Sequence, residues 1–539
     1  MLYEGICQIK SCSSSAKTTG SRLLSIHADG SIQMWKGPAV KFVLFIISFF
    51  LITPLYAETV PSVAIKILHV NDTHGHVLPV VQKSLEPQKA IGGAARLAQM
   101  IEEERRKNPD GTLLLSGGDM FQGTAVSNIF RGEPVLDFMN AVRFDAMAIG
   151  NHEFDWGRDT LDKLRESARF PFLSANIRGR AGNLAWESTP YVILERKGLK
   201  IAVIGVTATE TRYTTKPGNV EGLEFRHPRM VLPGVLKEVR SQGAKTIILL
   251  SHAGFDADKA LATEVSDIDV IVGGHSHTAV HDPVALGRTI IVQAGCCAQY
   301  LGVLNLSVDS QSGRVIRYTR EKALKKVYSG PDDAVDPRIT EIISVYRDRI
   351  KDRVSTCIAE TTVDLARNAR GESKLGNLIC DAMKEAEKAD IAFQNNGGIR
   401  ANIPAGKITP ERVYAVLPFD DALISMDLTG KQILHILELN ARDETFLLQV
   451  SGLKIEYDMI RPKGKRVLSA EANGTPLRPN RTYRVVTNDF LAAGGNRLFV
   501  FQQGKNLRYG DQQRESFIRY LERHGSVHPR IEGRIVIRP

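Results

Sequence analysis

The sequence predicts a layered α/β fold followed by a smaller α+β unit, and three observations carry that expectation. Between residue 63 and about residue 325, short runs rich in Val and Ile alternate with helix-like stretches. Polar or glycine-rich residues come after most of these runs, as expected where strands end at the rim of a sheet. The pattern then changes after an acidic, turn-rich break at Pro331 to Asp336. A chain of 539 residues also exceeds one ordinary domain, so two or three are expected.

Taken in order, the runs are VAIKILHV, TLLL, AMAI, IAVIGV, TIILL, DVIV and TIIVQAG. Such runs suit strands buried on both faces. Ala94 to Lys107 and Thr160 to Ala168 read as helices between them. After the break, the spacing of Ile342, Ile343, Tyr346 and Ile350 predicts an amphipathic helix over 339–354, a connector between domains. Beyond it a helix is expected at Lys374 to Glu387. Strands are expected at Ile391 to Phe393, Ala422 to Leu428, Leu453 to Tyr457 and Tyr483 to Thr487. No internal repeat stands out.

Composition narrows the function. Hydrophobic residues make up 43% and charged residues 24%, a globular balance. The formal charge is +10, but residues before position 58 account for +3 of it. The remaining basic residues form no stripe interleaved with aromatics, so a small anionic substrate is favoured over a polynucleotide. Phe42 to Ile52 has the length of a signal-peptide core and is too short to span a bilayer. With Lys36 and Lys41 before it and LYA before Glu58, residues 34–57 read as a signal peptide. Residues 1–33 then read as a leader upstream of the true start. Periplasmic or secreted localisation is expected, without a stable membrane anchor. Oligomeric state is not readable. Besides Cys7 and Cys12 in the leader, the cysteines are Cys296, Cys297, Cys357 and Cys380, too few for a disulfide framework. Adjacent Cys296 and Cys297 are expected to be packing residues, and pairing of Cys357 with Cys380 is left open.

The chemistry lies at the strand exits. NDTHGH supplies Asp72 and His74, SGGD supplies Asp119, and GNHEFD supplies Asn151, His152 and Asp155. SHAG supplies His252, and GGHSH supplies His275 and His277. Any one motif alone reads as a capped turn, but five in succession at five strand exits point to a site. Carboxylate with imidazole suits divalent first-row metals such as Mn, Zn, Co or Fe. A bridging carboxylate, for which Asp119 is the candidate, can hold two ions about 3.5 to 4 Å apart against a phosphoryl group. Asn151 then serves as a neutral oxygen ligand. His152, steadied by Asp155, faces substrate as a charge stabiliser or acid. His69 and His76 read as structural and supporting, His281 as a surface histidine, and Glu153 as a helix-start residue.

These motifs together resemble the calcineurin-like metallophosphoesterases, and within them the bacterial periplasmic 5′-nucleotidases and UDP-sugar hydrolases, with similarity to animal ecto-5′-nucleotidase. The resemblance covers nearly everything after residue 63. It implies a four-layer α/β metallophosphoesterase sandwich at 61–325, a hinge helix at 326–356 and an α+β substrate-binding domain at 357–539. It further implies two divalent metal ions: one at Asp72, His74, Asp119 and His277, the other at Asp119, Asn151, His252 and His275. His152 and Asp155 match the family's catalytic dyad, and His277 stands where some members have Gln or Asn.

GESKLGNLICDAM, NNGGIR, VLPFDD and DFLAAGGN resemble the family's C-terminal domain. Arg400 leaves a glycine-rich turn and suits phosphate by forked donation, with Arg370 a second candidate. The resemblance makes Phe419 and Phe490 two plates around a base, and Asn395 a partner of the base or nearby substrate. Asn496 stands where an Asp is expected to accept from ribose hydroxyls. The implied activity is metal-dependent hydrolysis of nucleoside 5′-monophosphates, with nucleotide sugars as further substrates. Asp155 argues against a 2′,3′-cyclic-nucleotide phosphodiesterase with 3′-nucleotidase activity. The two phenylalanines argue against a thiosulfohydrolase, and the intact ligand set against a non-catalytic nucleotide-binding protein.

Overall fold

The computed structural model describes residues 61–81, 90–179, 189–443 and 445–538. The leader and the signal peptide expected over 1–57 lie outside the described residues. Among the described residues, no helix is long and apolar enough to cross a membrane.

The first half is built on two facing sheets. One runs in the order Val315–Tyr318, Tyr300–Asp309, Ser62–Val70, Thr112–Ser116, Ala146–Ala148, Phe172–Leu173, and Leu324–Lys326 also pairs with Tyr300–Asp309. The other runs Val284–Leu286, Thr289–Val292, Val270–Gly273, Thr246–His252, Leu199–Thr207, Tyr191–Arg196. Within each sheet the central strands are parallel, so their C-terminal ends come out together.

Strand alternation explains the layering. Ile65, Ile67, Leu113 and Leu115 point between the sheets, where they meet Val203, Ile248, Leu250, Val270 and Val292. Their neighbours Leu68, Val70 and Leu114 point outward beneath helices Ala94–Arg106 and Glu133–Ala141. On the far face Ile247, Leu249 and Ile271 pack under Pro228–Ser241 and Phe255–Glu264. The result is helix, sheet, sheet, helix, as expected. Both faces of each sheet are covered, which is why the runs read as continuously apolar.

The connector helix spans Pro337–Val354 and is capped by Asp336, whose side chain accepts from Arg338 N. Ile339, Ile343, Ile350 and Val354 are buried in the first domain's outer core, with Ile342 and Tyr346 packed against it. The second half carries a five-stranded sheet in the order Leu448–Ser451, Ile391–Asn395, Thr482–Asn488, Ala422–Thr429, Lys505–Gln512. Helix Lys374–Glu387 packs on one face of it, and Gly430–Asn440 on the other. A four-stranded sheet, Thr475–Pro476, Val467–Ala472, Leu453–Asp458, Ile535–Arg538, completes the unit.

Candidate active site

The candidate ligands stand on the loops that leave the parallel strands, and their backbone is unusual. Asp72, His74, Asp119, His275 and His277 all have φ between 48° and 72°. That left-handed region costs a non-glycine residue roughly 1–2 kcal/mol, and such strain concentrates at functional sites. The surrounding bonds hold it: Asp72 N donates to Gly118 O at 2.8 Å and Gly75 N to Met120 O at 2.9 Å, zipping two ligand loops together. Gly150 is required because a Cβ there would fall 2.2 Å from Asp119 Oδ1.

Two groups of ligand atoms converge. Asp72, His74 and His277 form one, and Asp119, His252 and His275 the other. His277 Nε2 lies 3.3 Å from Asp72 Oδ1 and 3.0 Å from His74 Nε2. In the second group His252 Nε2 is 3.0 Å from Asp119 Oδ2, and Asn151 Oδ1 lies 2.9 Å from His275 Nδ1.

The donor set fits two divalent ions. His74 Nδ1 faces Gln122 O at 3.1 Å and His252 Nδ1 faces Gly117 O at 2.7 Å. In each ring Nδ1–H donates to the carbonyl and Nε2 is aimed into its group, the arrangement that metal-binding histidines adopt. Asp72 is fixed in turn by Asn71 Nδ2 at 2.7 Å. Electrostatics point the same way. Burial opposes charge on His252, yet the Asp119 carboxylate outweighs it and raises the imidazole to about 10. Asp72 likewise overcomes burial at His277 and raises it to about 9. Burial, then the Arg400 charge, holds His74 far below its ordinary value. These carboxylates hold protons on the rings that a divalent ion would replace.

His152 lies beside the two groups, with Nδ1 2.7 Å from Asp155 Oδ2. Thr215 Oγ1 donates to the other Asp155 oxygen at 2.7 Å. Burial works against the His152 cation, but Asp155 and Asp119 prevail and its pKa is raised. Glu153, expected only as a helix-start residue, has a further part in the structure. Its buried carboxylate accepts from Asp119 N, Met120 N and Gly150 N at 2.6–2.9 Å, tying two ligand loops together.

The second domain closes over this cluster. Arg400 Nη2 reaches to 3.2 Å from His74 Nε2. Phe419 stacks on His152 with ring centroids 5.4 Å apart. Asn128 Nδ2 donates to Pro418 O at 2.6 Å, Lys216 pairs with Asp489 at 2.6 Å, and Arg131 pairs with Asp420. Between the domains lies a cavity of about 320 Å³, bordered by Asp119, Asn151, His152, Asp155, His275, His277, Asn395, Arg400, Phe419, Phe490 and Asn496. Phe490 rests against Gly495, where a Cβ would come within 2.5 Å of its ring. Asn395 Oδ1 accepts from Asn488 Nδ2 at 2.9 Å.

Arg370 is not brought to the cavity. Its amide donates to Asn368 Oδ1, and its side chain is left exposed where the chain turns into Gly371. Arg367 is the nearer guanidinium: its Nη1 donates to Ile399 O at 3.1 Å, beside Arg400. Lys216 and Asp421 also border the cavity: Lys216 belongs to no motif and sequence reasoning misses it, while Asp421 closes the VLPFDD motif without a role assigned to it there. Of the other histidines, His69 is buried with both ring nitrogens unpartnered, His76 Nδ1 faces Thr73 O at 2.9 Å, and His281 is exposed. All four described cysteines are free thiols.

Fold and site together define a metallophosphoesterase-type hydrolase. Residues 65–279 match the calcineurin-like phosphoesterase family and residues 354–503 the 5′-nucleotidase C-terminal domain. The chain is 34% identical over 530 residues to the snake venom 5′-nucleotidase of Crotalus adamanteus, spanning 88% of this chain and 89% of that one. Human 5′-nucleotidase is 32% identical over 525 residues, spanning 87% and 90%. The crystal structure of a 5′-nucleotidase precursor from Thermus thermophilus superposes with a TM-score of 0.81 at 35% identity, covering 88% of this chain and 99% of that one. The chain belongs to the 5′-nucleotidase family.

Proposed function

We propose that the chain hydrolyses nucleoside 5′-monophosphates to nucleoside and phosphate, with nucleotide sugars as further substrates. The observation that carries this reading is the meeting, on one cavity, of two carboxylate–imidazole groups, the His152–Asp155 pair, and Arg400, Phe419 and Phe490 from the second domain. Asp72, His74 and His277 would hold one divalent ion, and Asn151, His252 and His275 the other, with Asp119 shared. Bound there, the ions supply Lewis-acid neutralisation of phosphoryl oxygens and lower the pKa of a water.

The protein's own groups do the rest. Asp155 fixes the His152 tautomer so that Nε2–H faces the cavity, where it donates to a phosphoryl oxygen or to the departing 5′-oxygen. Arg400 offers its forked donors to the phosphate. Phe419 and Phe490 take the base between them, a contact worth about 1–3 kcal/mol per stacked base. Asn395 and Asn496 contact base and sugar. An amide at Asn496 accepts without the charge assistance a carboxylate gives, which relaxes the preference for one sugar. Substrate groups and ion ligands sit on different domains, so turnover needs closure, with 326–356 as the hinge. Residues 34–57 support export, and N-terminal sequencing of the mature protein tests it.

The test of the activity is a panel of AMP, UDP-glucose, 2′,3′-cyclic AMP and a thiosulfonate with Mn added. AMP should be the best substrate, with turnover abolished by exhaustive chelation. Activity that survives chelation, or a preference for thiosulfonate, overturns the reading.

A further inference from the structure

Cys296 and Cys297, expected as packing residues because a bond between neighbours is strained, are placed sulfur to sulfur beside the ion-site loops. Both are only half-buried, and their Sγ atoms stand 2.7 Å apart. The segment that carries them is held in left-handed backbone at two successive non-glycine residues, Cys297 with φ 60° and Ala298 with φ 54°. Such strain persists only where neighbours enforce it. Here the enforcement comes from the ion-site loop, since Cys297 N donates to Asp72 O at 2.7 Å. On the other side, the Cys296 side chain adjoins the His277 ring. The cysteine pair therefore adjoins two of the three residues in the Asp72, His74, His277 group, Asp72 through the Cys297 backbone amide and His277 through the Cys296 side chain.

We propose that Cys296 and Cys297 form a reversible oxidation site, closing to a vicinal disulfide whose formation weakens ion binding at the Asp72, His74, His277 group. A disulfide needs about 2.05 Å between sulfurs, so closure asks for roughly 0.7 Å of movement from the distance present. Neighbouring Cα atoms are about 3.8 Å apart, shorter than the usual lower bound of about 4.4 Å for a bridged pair. The closed ring is therefore strained and readily reduced, which makes it a switchable bond and not a structural staple.

With a low-molecular-weight disulfide such as oxidised glutathione as oxidant, one cysteine attacks it and releases one glutathione thiol. The neighbouring cysteine then attacks the protein-side sulfur of the mixed disulfide and releases the second. Two electrons and two protons leave the protein, and one S–S bond forms as another is broken. Closure moves Cys296 Sγ relative to His277 and turns the peptide whose N–H fixes Asp72 O, so each of the two ligand loops is disturbed at once.

The proposal rests on the reading of Asp72, His74 and His277 as ion ligands, and its readouts do not depend on turnover. Full-length protein carrying Cys7→Ser, Cys12→Ser and Cys357→Ser, which leaves the pair and buried Cys380 as its thiols, is treated with graded ratios of oxidised to reduced glutathione. Peptide mass mapping tracks residues 296–297, and calorimetry measures Mn affinity after the glutathione is removed. The expected result is an intramolecular 296–297 bond reversed by dithiothreitol, with Mn affinity at least tenfold weaker when oxidised. Cys296→Ser and Cys297→Ser, made singly, should show no oxidant-dependent change in Mn affinity. The pair staying reduced while Cys357 in the parent protein is fully converted overturns the oxidation site. Closure with unchanged Mn affinity overturns its coupling to the ions. Failure of the reduced protein to hydrolyse AMP would overturn the proposed activity and leave both readouts intact.

Discussion

His152 Nδ1 stands 2.7 Å from Asp155 Oδ2, and the same imidazole is stacked beneath Phe419 from the other domain. A ring held by a carboxylate on one side and covered by an aromatic on the other is oriented before substrate arrives. His152→Ala should lower kcat for AMP by about 10²–10⁴-fold, the usual range for a positioned acid, while two Mn per chain remain bound by elemental analysis. Loss of metal together with activity would place His152 among the ligands.

Asp155→Asn makes a subtler case. The Asp155 charge helps raise the His152 pKa against burial, so removing it lowers that pKa. A group that must be protonated to act then deprotonates earlier as pH rises. The alkaline limb of the kcat/KM profile should move to lower pH in the variant. An unmoved limb would mean that the His152 proton plays no part in turnover.

Glu153 is the clearest residue that sequence reading underrates. Three backbone amides from two loops point at its carboxylate, and burial together with the nearby Asp119 charge raises it to about 7. Glu153→Gln replaces one acceptor oxygen by an amide donor facing N–H groups, leaving buried donors unsatisfied at a cost of about 1–3 kcal/mol. We expect a lower unfolding midpoint and weaker Mn binding, read by calorimetry, with the KM for AMP little changed.

The strands and ligand loops are legible because both signals are local: two-sided burial writes continuous apolar runs, and ligands at strand ends write short polar motifs. Tyr300–Asp309, paired with Ser62–Val70 over eight positions, escapes a reading by apolar runs because Asn305 and Ser307 interrupt its pattern. Arg370 and Arg367, three residues apart, look alike in sequence and are both exposed, and only the fold shows that Arg367 is the one whose guanidinium reaches Ile399 O, beside Arg400. Lys216 is recognisable only through Asp489, which is 273 residues away in sequence and on the other domain.

Metal loading should release protons. With no ion bound, His252 and His277 carry protons at neutral pH because Asp119 and Asp72 raise them to about 10 and about 9 against burial. An ion needs both rings neutral, so affinity should climb with pH until those values are passed. Between pH 6 and pH 8, Mn affinity should rise about tenfold per unit for each proton displaced. Calorimetry in buffers of different ionisation enthalpy should count about one to two protons per chain. A pH-independent affinity would exclude these rings as ligands.

Acid sensitivity should trace in part to His69. The residue lies in Ser62–Val70 opposite Gly302, fully buried, and burial lowers its pKa from 6.5 to about 3. Below pH 6.5 the unfolded chain binds a proton there that the folded chain refuses until about pH 3, so stability falls as pH drops through that window. The loss is on the order of 1.4 kcal/mol per pH unit within it. His69→Leu removes the titrating ring and keeps an apolar side chain against Gly302. Comparing urea midpoints at pH 7.5 and pH 5, the parent protein should lose more stability than the variant over the same interval. Equal losses would mean that His69 is protonated in the fold and has found a partner there.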